Sequence, residues 1–168
     1  MKQLLLLVLM VSCCLSFSQE SDEVVTATYY LIRHAEKDRS NPNEKDPALT
    51  EEGIERAKAW ATIFHSIPID KVYSTNYQRT RETAQPTATA KGVDITYYNP
   101  RSFDVKAFKQ ETQGMHVLIV GHSNTTPFFA NMLLGGKRYD AIPDDQNGNL
   151  YIITVLNERT NSTLLHLD

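Results

Sequence analysis

The chain is short of cysteine: two in 168 residues, Cys13 and Cys14, adjacent and close to the N-terminus. If export removes that segment, the mature protein has no thiol. Disulfides, a cysteine nucleophile and thiolate metal sites are then excluded together, which suits an oxidising compartment. A basic surplus is also missing. Lys and Arg number 17 against 20 Asp and Glu, for a net charge of −3, the wrong sign for the basic stripe of a nucleic-acid binder. No apolar run reaches the roughly 20 residues that a membrane span needs. No repeat appears at solenoid periods. Trp60 is the single tryptophan, and it and the eight tyrosines show no stacking pattern, so they are expected in the core and at its rim.

What is present begins with an address. Met1-Lys2 opens the chain with a positive charge, and Leu4 to Leu15 is apolar except for Ser12. Ser16 and Ser18 then offer small residues to a signal peptidase. Residues 1–18 therefore read as a signal peptide and 19–168 as a single domain of an exported protein, periplasmic or secreted. Met10-Val11-Ser12-Cys13 supports an alternative, a lipoprotein anchored at Cys13. Loss of Lys2 takes the net charge from −3 to −4, because residues 1–18 contain no acid.

In the remainder, β-rich and helical stretches alternate. Ala27–Arg33, Lys71–Ser74, Ile95–Tyr98 and His116–Val120 read as strands. Between them lie helices from Thr50 to about Ser66, with Ile54, Ala57, Ala61 and Phe64 as the buried face, from Asn76 to Lys91, with a kink at Pro86, and from Asp104 to Thr112. Pro127 is placed at the first position of a further helix running to Leu134. Leu150–Leu156 and Thr163–Leu167 close the chain around a hairpin loop, Asn157 to Thr160. This order predicts an α/β fold, a three-layer α/β/α sandwich with a mostly parallel central sheet and an antiparallel edge.

Three segments leave strand ends with charged or imidazole groups: Arg33-His34, Ser74 to Arg81, and Gly121-His122. In an open α/β sheet such ends converge where ligands bind. Two imidazoles among guanidinium groups make a positive site suited to an anion, and arginine forks match phosphate oxygens in pairs. Flanking cations disfavour a proton on His34, leaving a neutral nitrogen able to attack phosphorus without thiol, metal or cofactor. The rival is a metal site formed by His34, Glu36 and His122, although neighbouring arginines oppose a cation there. His65, His116 and His166 are expected to be structural or superficial.

Four motifs in order then carry a resemblance. They are Leu31-Ile32-Arg33-His34-Ala35-Glu36; Leu49-Thr50-Glu51-Glu52-Gly53; Ser74 through Arg79-Thr80-Arg81-Glu82-Thr83-Ala84; and Val120-Gly121-His122-Ser123-Asn124. Together they resemble the histidine phosphatase superfamily, which includes phosphoglycerate mutases and compact protein-histidine phosphatases. The resemblance implies that His34 is the nucleophile and that Arg33, Arg79 and His122 hold the phosphoryl oxygens. It puts the general acid after the third strand, at Asp104, which serves equally well as a helix cap. Ala35 stands where the family usually has glycine, which requires a backbone there outside positive φ. Lys37 stands where a hydroxyl often contacts phosphate, and Arg81 is expected to pair with Glu82 or face solvent.

The activity implied is hydrolysis of phosphomonoesters or phosphoramidates through a phosphohistidine. The alternative is a weak or inactive phosphate-binding or protein-interaction module. Mutases of the family carry long insertions around a sugar acid, and the connections here are short, so mutase activity is disfavoured. The expected partner is a phosphorylated small molecule, favoured for an exported protein, or a phosphoprotein.

Overall fold

Along Thr26–Arg33, β1, successive side chains leave opposite faces of the sheet, and both faces are apolar. Tyr29 and Leu31 point into one core with Tyr73, Val117 and Ile119. Tyr30 and Ile32 point into another with Val72, Leu118 and Val120. A strand buried on both sides needs a layer of helices over each face. A computed structural model describes residues 25–157 and 159–167. The expected signal peptide, residues 1–18, and the alternative anchor Cys13 lie outside the described residues.

The remaining elements are α1 (Glu51–Ile63), β2 (Lys71–Ser74), α2 (Gln78–Lys91), β3 (Ile95–Tyr97), α3 (Val105–Glu111), β4 (His116–Gly121), α4 (Thr125–Leu134), β5 (Asn149–Leu156) and β6 (Arg159–His166). The six strands form one sheet in the order β3-β2-β4-β1-β5-β6. β3, β2, β4 and β1 run parallel, and β5 and β6 add an antiparallel edge. Trp60 and Phe64 from the α1 side and Ala84 and Ala88 from α2 cover one face. Phe108 of α3 and Phe129, Ala130 and Leu133 of α4 cover the other. The three-layer sandwich is therefore as expected. Each fully buried Leu, Ile, Val or Phe contributes about 1.5–3 kcal/mol.

Parallel pairing decides where the chemistry falls. Arg33 is in register with Gly121, and Ser74 with Val120. The carboxyl ends of β1, β2 and β4 thus stop at one level of the same sheet edge.

Local details depart from the sequence expectations for identifiable reasons. The buried face of α1 is Gly53, Ala57 and Trp60, whereas Ile54 is 44 % exposed. Gly53 fixes that rotation, because a Cβ there would collide with the Glu36 carbonyl oxygen. The helix start thus abuts the loop after β1, and the Glu36 carbonyl also accepts the Thr50 N–H at 2.9 Å. Thr50 caps α1 by accepting from Gly53 N at 3.1 Å, as its motif predicts. Pro127 is the third residue of α4, not the first, still within the turn whose N–H groups have no helical partner. β6 begins at Arg159, before the expected Thr163, so the connection from β5 is only residues 157–158. Asn157 takes the required left-handed conformation, φ 53°. It is the one non-glycine residue at positive φ among the described residues, so Ala35 meets the condition for replacing glycine.

Candidate active site

His34 follows β1 directly and is buried. Its backbone N–H donates to the Gly121 carbonyl at 2.9 Å, locking it beside the end of β4. Its Nδ1 lies 2.8 Å from the Ala35 carbonyl oxygen. A carbonyl can only accept, so Nδ1 carries the proton and Nε2 presents a lone pair. Burial lowers the His34 imidazole from its ordinary 6.5 to about 3; charges from His122, Arg33 and Arg79 act in the same direction, against the bond to Ala35. At neutral pH this nitrogen is a free base.

His122 lies one residue beyond β4, with its ring 5.4 Å from that of His34. Its Nδ1 faces Nη2 of Arg79 at 3.4 Å, and its Nε2 is 2.9 Å from Thr75 Oγ1. Arginine only donates, so Nδ1 accepts and Nε2–H donates to Thr75. The Thr75 hydroxyl in turn donates to Thr80 Oγ1 at 3.1 Å, and Thr80 donates to the Thr75 and Tyr77 carbonyls. Burial, then Arg79 and Arg33, lowers His122 to about 4. Tyr77 meets the His122 ring edge-on at 4.9 Å, and the Arg79 guanidinium lies 4.6 Å over the Tyr77 ring. These contacts fix the imidazole from two sides.

Arg79 is the second residue of α2, held by Asp46 at 3.3 Å. Arg33 ends β1 and is 2 % exposed. The loop before β5 wraps it: Nη1 donates to the carbonyls of Pro143, Asp144 and Gln146 at 3.0, 3.2 and 3.1 Å, and Nη2 to Asp144 Oδ1 at 2.7 Å. The Nε atoms of Arg33 and Arg79 are both buried without a partner. An unpaired buried guanidinium N–H is costly, and two beside a pair of imidazoles mark a place for anionic oxygens. The cleft around them measures about 1310 Å³ and is also lined by Lys37, which therefore adds a cation to the site.

The structure brings together four of the five residues singled out by sequence: Arg33, His34, Arg79 and His122. Asp104 is placed elsewhere. It caps α3, accepting from Lys106 N at 2.9 Å and Ala107 N at 3.1 Å, and does not line the cleft. Glu36 turns to Arg56 at 2.7 Å rather than joining the two histidines. Among the described residues no group of three His, Cys, Asp or Glu side chains is placed to hold a metal. Arg81 pairs with Asn76 at 2.8 Å, not with Glu82. His116 stacks on Tyr30, and His166 contacts Asn149, both in structural roles.

Sequence reasoning missed Asp144, Thr75 and Tyr77. Among the described residues Asp144 is the one carboxylate lining the cleft. It bridges Arg33 and Arg39, with Arg39 Nη2 at 2.8 Å. Hydrogen bonds from Arg39 and then Arg33 hold its carboxyl well below the usual range. The pairing with Arg33 joins residues 111 apart, so no local spacing announces it. Thr75 and Tyr77 sit inside the third motif, at the variable positions after Ser74.

A mostly parallel sheet with two imidazoles and two guanidiniums at its carboxyl edge is an α/β arrangement suited to anions. Sequence comparison finds a family likeness over part of the chain. The model of the histidine phosphatase superfamily (branch 1) matches residues 29–99, a span holding the first three motifs. Over those residues the chain is similar to the histidine phosphatase superfamily. It is 29 % identical over 139 residues to an Escherichia fergusonii protein assigned as phosphoglycerate mutase GpmB, covering 80 % of this chain. The aligned region spans 60 % of that relative's length.

Solved structures share the fold. An Agrobacterium tumefaciens protein assigned as phosphohistidine phosphatase SixA superposes with a TM-score of 0.59 at 24 % identity, covering 82 % of this chain and 97 % of the other. Phosphoglycerate mutase from Bacillus anthracis gives 0.66 at 14 % identity, covering 85 % and 94 %.

Proposed function

We propose that this protein is a phosphatase that takes a phosphoryl group onto Nε2 of His34 and releases it to water. The observation that carries this is the tautomer. The bond to Ala35 leaves Nε2 unprotonated, beside the second imidazole and two arginines with unpartnered buried N–H groups. In the first step Nε2 bonds to phosphorus as the bond to the leaving atom breaks, with its electron pair going to the leaving group. In the second, water attacks phosphorus, the N–P bond returns its pair to His34, and inorganic phosphate leaves. Arg33, Arg79 and His122 surround the charge spread over the three oxygens during transfer, where preorganised donors contribute most. Lys37 adds to the same field. No step needs a metal.

Both phosphoramidates and phosphomonoesters suit this chemistry. The only carboxylate lining the cleft among the described residues, Asp144, is held ionised between two arginines. It is therefore a poor proton donor, and a leaving group that departs without a strong acid is favoured. The mutase activity assigned to the Escherichia fergusonii relative is disfavoured, because the connections between strands and helices here are short. The N-terminal run fits export, so we place the enzyme outside the cytoplasm. The test is phosphate release from a panel of phosphorylated compounds by wild type and His34→Ala. Turnover abolished in the variant supports the proposal. Tight phosphate binding with no turnover by wild type supports the binding-module alternative.

A further inference from the structure

The cleft far exceeds a phosphate ion, and its remaining walls describe what else it takes. Seven large apolar side chains are exposed among the described residues: Ile54, Ile63, Tyr77, Tyr97, Phe128, Leu156 and Leu165. Two of them, both aromatic, line this cleft: Tyr77 at 44 % and Phe128 at 53 % exposure. Tyr77 is rigidly mounted, pinned between the His122 ring and the Arg79 guanidinium, so one face of the phosphate seat is itself an aromatic ring. Phe128 lies on α4, one turn beyond the residues that follow His122. It lines a second, mostly apolar hollow of about 560 Å³ that continues from the first and shares Asn124 and Phe128 with it. An exposed aromatic at the junction of an anion site and an apolar hollow is a binding surface for an apolar, flat group attached to the anion.

Leaving-group chemistry points the same way. Among the described residues no carboxylic acid free to give up a proton lines the cleft, since Asp144 is clamped by Arg33 and Arg39 and Asp104 caps α3 outside it. A phenol, with a pKa of about 10, departs as its anion far more readily than an alkanol.

We infer that the site prefers aryl phosphates, whose aromatic leaving group lies against Tyr77 and Phe128. This deepens the phosphatase proposal and rests on it. In the first step the P–O bond breaks with its electron pair retained by the aryl oxygen as phenolate, while His34 Nε2 bonds to phosphorus. Water then releases phosphate from His34, and a proton returns to the medium. The aryl group belongs to a small molecule or to a phosphotyrosine side chain, and the two share this chemistry.

The experiment compares kcat/KM for phenyl phosphate, a phosphotyrosyl peptide, glycerol phosphate and acetyl phosphate. Acetyl phosphate has a good leaving group and no ring, so it separates ring recognition from leaving ability. The alkyl ester should lag phenyl phosphate by roughly 100-fold or more, the contribution a general acid would supply. Tyr77→Ala and Phe128→Ala should each lower the ratio of phenyl to acetyl phosphate turnover by roughly 2- to 10-fold. Independently of any variant, phenylphosphonate should inhibit wild type more tightly than methylphosphonate. Peptide turnover above that of phenyl phosphate assigns a protein substrate, and the reverse a small molecule.

Equal rates on alkyl and aryl esters, or phosphonates of equal potency, overturn the inference while leaving the phosphatase intact. Failure to turn over any of the four compounds, acetyl phosphate included, overturns both.

Discussion

Acidification gives the deepest test, because burial and the neighbouring charges set its sign. The His34 imidazole is lowered from 6.5 to about 3. At pH 5 an ordinary histidine would be roughly 97 % protonated, and one titrating at about 3 would be roughly 1 % protonated. The lone pair is then about 30-fold more abundant than in a free imidazole. The same shift is a statement about stability. In the folded state the group binds its proton more weakly than in the unfolded chain, so the unfolded chain takes up more protons on acidification. Stability is complete above about pH 6.5, falls as pH drops below it, and levels off near pH 3. Between pH 6.5 and pH 4 His34 alone costs about 3 kcal/mol, at about 1.4 kcal/mol per pH unit.

Nitrogen NMR of ring-labelled histidine follows His34 Nε2 directly, and urea melts at each pH follow the stability. The expected outcome is an Nε2 still unprotonated at pH 5, together with a denaturation midpoint that falls from pH 6.5 downward. An Nε2 that gains its proton with a midpoint near 6.5, with stability flat between pH 7 and pH 5, would refute the claim that burial and the adjacent charges hold His34 neutral.

Other consequences are separately checkable. Arg79→Gln removes the largest charge acting on His122 and the smallest named for His34, so NMR should show the His122 midpoint rising more than that of His34, and kcat should fall by about 100- to 1,000-fold. Asp104→Ala should lower stability by about 1 kcal/mol through loss of the α3 cap and leave kcat at the wild-type value; a large drop in kcat in a folded variant would restore Asp104 as the acid. Gly53→Ala should destabilise by about 1–3 kcal/mol in urea, since the added methyl meets the Glu36 carbonyl. Asp144→Asn leaves Arg33 without a charged partner and should raise KM for phosphate compounds or lower kcat without unfolding the protein, as steady-state kinetics beside circular dichroism would show.

The centre of the sheet was legible in the sequence because β1 and β4 are buried on both faces, so Leu31-Ile32 and Val117 to Val120 stand out as apolar runs ending at charged or imidazole residues. The converging edge follows from parallel pairing, which brings Arg33 level with Gly121. The rotation of α1 was less legible, because apolar spacing alone fits Ile54 as well as Trp60. What decides it is a backbone contact between Gly53 and Glu36 that composition does not encode. The same holds for the Arg33 clamp. Pro143-Asp144 in isolation is an ordinary turn, and it becomes part of the site only through a partner 111 residues away. Asp104 shows the converse. One residue can satisfy the pattern of both an acid and a cap, and the two backbone N–H groups it accepts show where the fold puts it.

The most direct measurement mixes the purified protein with a radiolabelled phosphoryl donor, quenches at alkaline pH within milliseconds, and maps the label by peptide mass spectrometry. The expected result is an acid-labile adduct on the peptide containing residue 34, absent from His34→Ala, which should also show no turnover. Turnover that survives in His34→Ala, or proceeds in wild type with the label on another side chain, would contradict it.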